Sequence, residues 1–317
     1  MKKHIVAKLS CLSLRFVVIP AFLLGAAVVS IAQTGTLKGK AFLSADEAAS
    51  AFILAAENFD VGAIRQILGP NSSDLLYTGE PARDRQVATE FAEQAKIKKS
   101  IIVDKRNRNR ALLAVGEDSW PFPIPLVKQG KNWFFDVTAG REELLYRRIG
   151  RNELDAIDIC RGFVEAQHSY ALKKHDAVTV NQYAQRIIST PGKHDGLAWQ
   201  NADGTWGGTV GERAAKALQE SYSGTYTPFH GYYFKVLKGQ GPAAPLGSMD
   251  FIVNGAMIGG FALLAYPSIY QVTGVKTFMV SHDGVVYEKD LGPNSIDLAK
   301  SIDKFDPDRS WKPVLDE

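Results

Sequence analysis

The chain has 317 residues, 45% of them hydrophobic and 22% charged, with 28 glycines and 14 prolines. That composition excludes a disordered, collagen-like or polytopic membrane chain, and the length allows one or two domains, each burying a core without disulfide or metal staples. The formal charge of +3 belongs to one end: Lys2, Lys3, Lys8 and Arg15 lie in the first 32 residues without an acid, and removing those four of the 37 basic residues leaves 33 against 34 acidic ones. The body of the chain is therefore close to neutral, with no global field to draw in nucleic acid or membrane.

Phe16 to Val29 form an apolar run, interrupted only by Pro20 and Gly25 and followed by Ser30-Ile31-Ala32. Positive charges, an apolar stretch and small residues two apart predict a secretory signal peptide over residues 1–32, cleaved between Ala32 and Gln33. As a helix the apolar run would span roughly 21 Å, short of the ~30 Å hydrocarbon core, so it reads as a leader and not as an anchor. Cys11 follows Lys8 and precedes the apolar run, the wrong surroundings for lipidation. The expected location is periplasmic or secreted. The expected mature chain keeps only Cys160, set in a helical pattern among Ile157, Ile159, Phe163 and Val164 and read as a buried structural thiol.

Ser44 with Glu47 makes a capping box for a helix whose Ala48, Phe52, Ala55 and Phe59 recur at three- and four-residue steps. A second helix spans Val61 to Leu68 and stops at Gly69-Pro70; a third covers residues 82–96 with Val87, Phe91 and Ala95 on one face. Strands are predicted over Ser100–Val103, Ala111–Val115, Ile124–Val127 and Trp133–Val137, the last two joined through Gln129-Gly130-Lys131. The prolines of Trp120-Pro121-Phe122-Pro123-Ile124-Pro125 confine that piece to a sheet edge or a polyproline-like segment. Residues 42–140 thus form an α+β domain. A basic helix over 141–149 should break at Gly150, and Asn152 should cap a longer one to about Leu172, with Leu154, Ile157, Cys160, Val164 and Ala171 on an apolar stripe. Beyond it come a loop from Ser189 to Gly211, a short helix over Glu212–Glu220, and a meander: Tyr232–Leu237, Ile258–Tyr266, Val275–Ser281 and Val285–Glu288, with Asp283-Gly284 as a two-residue hairpin turn. A second α+β domain is expected over 152–317, with Ile157, Val164, Phe234, Phe261, Leu263, Phe278 and Val280 in one core.

Two resemblances follow. The run Trp120–Val127, the segment Arg147-Arg148-Ile149-Gly150-Arg151-Asn152-Glu153-Leu154, the strand Gly231-Tyr232-Tyr233-Phe234, and Phe305-Asp306-Pro307-Asp308 with Ser310-Trp311-Lys312-Pro313 resemble a bacterial exported family known as domain of unknown function 2950. That resemblance implies export and no particular chemistry. Asn152-Glu153 leading into Ala156-Ile157, then Ala166-Gln167, Tyr170, Gly231–Phe234, Gly260-Phe261-Ala262, Pro267 and Thr277–Val280 before Gly284-Val285-Val286 are similar to the soluble part of type IV pilins and pseudopilins. The fold implied is a long helix packed on an antiparallel β-meander. Here, however, a whole domain precedes that helix where a pilin has its membrane-spanning half.

Candidate chemistry is sparse. No nucleophile elbow, Walker loop, dinucleotide fingerprint, CxxC or HExxH occurs, and Ser301-Ile302-Asp303-Lys304 matches SxxK without its partner motifs. His168 and His175 are seven apart, unlike helical metal ligands, and His230 and His282 carry no motif. His194-Asp195, in a glycine-flanked loop, is the alternative catalytic pair, a base awaiting a nucleophile from elsewhere, as in a periplasmic hydrolase. Asp303, Asp306 and Asp308 are too few and too stiffened by Pro307 for a calcium loop and read as a surface turn. Trp199 and Trp206 could stack on a glycan or on an envelope protein. Lys96, Lys98, Lys99, Lys105, Arg106, Arg108 and Arg110 form a basic run without interleaved aromatics, unlike a nucleic-acid platform; as a site it would suit an anionic envelope surface such as lipopolysaccharide. The reading favours an exported binding or structural module over an enzyme, with no metal or cofactor implied.

Overall fold

The computed structural model describes residues 39–72, 75, 81–176, 178–210 and 228–315. The leader and the expected helix at Glu212–Glu220 lie outside them.

The fold is α+β. Helix α1 (Ala45–Glu57) starts where Ser44 accepts the Glu47 amide, while the Glu47 carboxylate accepts from Leu43 N–H at 2.9 Å, one residue beyond the usual reciprocal partner of a capping box. Helix α2 (Val61–Leu68) is capped by Asp60, and α3 covers Pro81–Ile97. They pack on a sheet of β1 (Lys99–Val103), β2 (Arg110–Val115), β3 (Trp120–Pro121), β4 (Leu126–Gln129) and β5 (Asn132–Phe135), in the order β1-β2-β4-β5. One edge of β2 is shared, β4 pairing with its start and β3 with its end. Pro121 lacks an amide hydrogen, so the ladder resumes only at Phe122, which donates to Leu113. Gly130, at φ +61°, turns the β4–β5 hairpin. The core holds Phe42, Phe52, Ile64, Ile67, Leu126 and Phe135.

Val137, expected to end a strand, opens a helix instead because Asp136 caps it, its carboxylate accepting from Ala139 N–H. The largest departure follows: α4 runs unbroken over Val137–Ala171, 35 residues, straight through Gly150. Beyond its own helical turn no atom lies within 4 Å of where a Gly150 side chain would be, so no neighbouring element forces a break there. Asn152 does not cap; its amide donates to the Thr273 carbonyl at 2.9 Å. The buried stripe is Ala156, Ile157, Cys160, Phe163, Gln167 and Tyr170, whereas Leu154 is 66% exposed.

The stretch expected as a loop builds a small sheet, β6 (Arg186–Ile188), β7 (Gly196–Gln200) and β8 (Trp206–Gly208), in which β6 and β7 are parallel. The main sheet contains β9 (Tyr232–Leu237); then, after the short pieces β10 (Gly239–Gln240), β11 (Met249–Asp250), β12 (Ile252–Val253) and β13 (Ala256–Met257), come β14 (Ala262–Pro267), β15 (Lys276–Ser281) and β16 (Val286–Asp290). Helix α5 (Ser295–Ser301) and β17 (Lys312–Pro313) complete it, in the order β17-β16-β15-β14-β9. The β15–β16 turn is four residues, His282–Val285, because the Asp283 carboxylate takes the Ser281 hydroxyl and the Val285 amide and draws the loop over itself.

Cross-strand partners share a face, so Phe234, Ala265 and Phe278 line one side, against α4, and Lys235, Leu264 and Met279 the other, beneath α5. All of β14 is buried as a result. The strand reads apolar throughout because both faces are covered. Ile157, Phe234, Phe261, Leu263, Phe278 and Val280 do share one core, with Val164 packed against it. Among the described residues no helix is long and apolar enough to cross a membrane.

Candidate functional site

The loop between β6 and β7 carries His194 and Asp195, and it points their side chains apart. Asp195 braces its own loop, accepting from the Thr190 amide at 2.7 Å and the Thr190 hydroxyl at 2.8 Å, with Arg186 at 3.6 Å. His194 is instead held by Asp176, which accepts from its amide at 2.9 Å and meets its Nδ1 at 3.0 Å. The His194 amide is the main cause of an Asp176 carboxyl below its ordinary range. The expected pair is therefore not a dyad, and the partner of His194 comes from eighteen residues upstream.

Aromatic rings close around it. The His194 ring meets Trp199 edge-on at 4.6 Å; His175 meets the same indole at 5.7 Å and stacks on Tyr170 at 3.8 Å. The Tyr170 hydroxyl donates to the His194 carbonyl, and burial first, then the charges of Asp176 and Asp195, raises it to about 12. Gly207 lies under the indole so closely that a Cβ there would stand 2.5 Å from Trp199 Nε1. Trp199 thus packs into its own domain. Because Trp199 pairs with Gly207 and Gln200 with Trp206, the two tryptophans occupy opposite faces of the small sheet and make no joint platform. His168 lies elsewhere, against Phe261 and Tyr183.

Several of the remaining titratable groups are engaged one by one, whereas the buried His282 Nδ1 has no hydrogen-bond partner among the described residues. Cys160 is fully buried, and burial raises its thiol to about 12. Asp303 takes Lys235 at 2.7 Å, Asp306 accepts from Ala243 N–H, and Asp308 accepts from Ser310. Among the described residues no group of three or more His, Cys, Asp or Glu is arranged to hold a metal ion. His230 Nδ1 lies 2.5 Å from Asp155, 75 residues away in sequence, and Glu153 accepts from the Val275 and Lys276 amides; both tie α4 to the loops around the sheet.

In the basic run, Lys96 and Lys99 are paired with Glu57 and Asp46, and Lys98 reaches Ser119. Lys105, Arg106, Arg108 and Arg110 are exposed at the tip of the β1–β2 hairpin.

Sequence patterns missed a cavity of about 450 Å³ among α1, α2, α3 and the β3 segment. Its walls include Phe52, Phe59, Ile64, Phe91, Trp120 and Phe122. The space has a local cause. Ala95 packs with Ala49, Leu113 and Val115, drawing the end of α3 onto α1 and β2, whereas Val87 and Ala88, nearer its start, line the cavity. Glu90, Gln94 and Asp118 bring polar atoms to this apolar lining, and Asp84 adds a buried carboxyl. A groove of about 460 Å³ between β6 and β9 is lined more by polar groups, among them Gln185, Arg186, Lys238 and Lys300.

Residues 39–314 match the family described as Protein of unknown function (DUF2950), and the chain belongs to that family. No curated protein and no solved structure matches it.

Proposed function

We propose that this family member is an exported envelope protein that acts by binding, and that its ligand is a neutral, apolar small molecule held in the cavity among α1, α2, α3 and Trp120. The observation that carries the reading is the lining. A concave site of several hundred Å³, walled by aromatic and aliphatic side chains with few polar groups, is the usual form of a small-molecule site. An anionic head group would meet Glu90 and Asp118, which disfavours an anionic ligand. Export is supported by the leader pattern at residues 1–32. N-terminal sequencing from the native cell checks it: Gln33 as the first residue agrees, and an intact Met1 recovered from membranes contradicts it.

The binding test uses N-phenyl-1-naphthylamine, a neutral dye that brightens in apolar surroundings. Saturable brightening is expected for the parent and not for Ala88→Phe, which places a ring in the cavity. Equal brightening of both proteins contradicts the site.

A second reading, hydrolysis, draws support from one feature, the carboxylate that orients His194 as triad bases are oriented. Its pair is His194 with Asp176 and not with Asp195. Turnover of an ester substrate, lost in both His194→Ala and Asp176→Asn, would favour it.

A further inference from the structure

We propose that the β1–β2 hairpin is a docking finger for an anionic lipid surface, recognised through the phosphates of its head groups. The inference rests on a different part of the molecule from the cavity and does not depend on what the cavity holds.

Every residue from Lys105 to Arg110 is exposed, and four of the six are cations. The other three bases of the run have partners on the body of the domain, so the sequence run divides into a tethered base and a tip whose cations have no ion-pair partner among the described residues. The one acid at the tip, Asp104, turns its carboxylate inward onto the Arg106 amide at 2.8 Å, which fixes the loop and leaves the guanidinium outside. The β4–β5 hairpin adds exposed Lys128 and Lys131 alongside, with the Lys128 amide bonded to the Asn109 carbonyl at 2.7 Å.

Behind these charges stand apolar side chains that the fold leaves outside. Ile102, 48% exposed at the end of an edge strand, and Leu112, directly opposite it and half-buried, share one face of that strand pair, while Val103, also 48% exposed, lies on the other face. A cationic rim around a small apolar patch matches a lipid interface, where cations meet phosphate and short aliphatic groups enter the head-group layer. A nucleic-acid surface would offer stacking rings among the cations, and residues 102–110 contain none. Each Lys or Arg held at an anionic surface is worth about fivefold in partitioning, so four of them give on the order of a hundredfold or more.

The test is sedimentation of the chain beginning at Gln33 with vesicles of phosphatidylcholine, alone or mixed with phosphatidylglycerol. The parent is expected to bind only the mixed vesicles and to be released as salt shortens the Debye length. The variant K105S/R106S/R108S/R110S should bind on the order of a hundredfold more weakly. The control K173S/K174S/K193S/K238S, which removes the same charge elsewhere, should bind as the parent does. The charge-conserving K105R/R106K/R108K/R110K should also bind normally, since charge carries the contact, and an unchanged far-UV circular dichroism spectrum and melting curve of the serine variant exclude a folding defect. Equal binding by parent and finger variant would overturn the proposal, as would equal binding to neutral vesicles or an equal loss in the control. A duplex oligonucleotide captured more tightly than the vesicles through the same four residues would replace the lipid with nucleic acid and overturn it too.

Discussion

The two halves of the molecule use similar parts to opposite ends. Around the C-terminal sheet, α4 covers one face and α5 the other, β14 is buried along its whole length, and Tyr170, Tyr232, Phe261 and Phe278 fill the interior. Around the N-terminal sheet the helices meet at small residues, Ala49, Ala92 and Ala95, and the geometry that brings those together leaves the cavity beside Phe91 and Trp120. Close packing on both faces commits the inward side chains of that half to its core. A single layer of helices leaves room for a guest and lets a hairpin project. On the function proposed above, the C-terminal half is the scaffold and the N-terminal half the binding part.

That contrast can be broken by substitution. Phe278→Ala should cost about 3 to 5 kcal/mol, as expected for an aromatic ring removed from a closed site. Phe91→Ala should cost only about 1 to 2 kcal/mol, since its ring already borders empty space and is part exposed. Denaturant unfolding of the two variants measures the difference, and equal losses would mean the N-terminal half is packed as tightly as the other. Between them stands Gln167→Leu, at about 2 to 4 kcal/mol. The fully buried Gln167 amide donates to the Ala184 carbonyl and accepts from the Ala184 amide, both at 2.8 Å, and leucine would leave both backbone groups unpaired.

Smaller effects sharpen the comparison. The Asp176 carboxyl is held below its ordinary value, chiefly by the His194 amide. Its stabilisation is therefore complete above the unfolded value of ~3.9 and lost as the pH falls through the folded value, so acid should loosen the β6–β7 loop and neutral pH should not. Trp199 fluorescence, reporting from 4.6 Å away, should change below about pH 4 in the parent and less in Asp176→Ala, whose loss of stability should stay under about 1 kcal/mol because the pair is part exposed. Alkylation of Cys160 at pH 8 should be slow in the folded protein and fast in denaturant, since burial holds the thiol protonated to about 12. Fast labelling of the native chain would show that the C-terminal core opens readily.

Much of the fold was legible because its signals are local. The Ser44 cap and the Gly69-Pro70 stop each act within a few residues, and most elements lie within a residue or two of where the pattern puts them, although the strand expected over Ile258–Tyr266 occupies Ala262–Pro267. Elements settled by distant partners were not legible. Gly150 and Asn152 read as a break and a cap, yet the helix continues and Asn152 serves the Thr273 carbonyl, 121 residues away. The short strands β6 to β8 lie in a sequence rich in turn formers and exist through their pairing. The site was the least legible part. His194 has a partner that its adjacent Asp195 conceals, and the cavity is a void shared by residues from Phe52 to Leu144, to which no single pattern corresponds.

The division of labour is tested most directly by native mass spectrometry of the protein released from the cell envelope without detergent. The parent should carry the added mass of a neutral small molecule, and Ala88→Phe, with the cavity filled, should fly bare. A bare parent, or an adduct that Ala88→Phe retains, would contradict a ligand site in the N-terminal half.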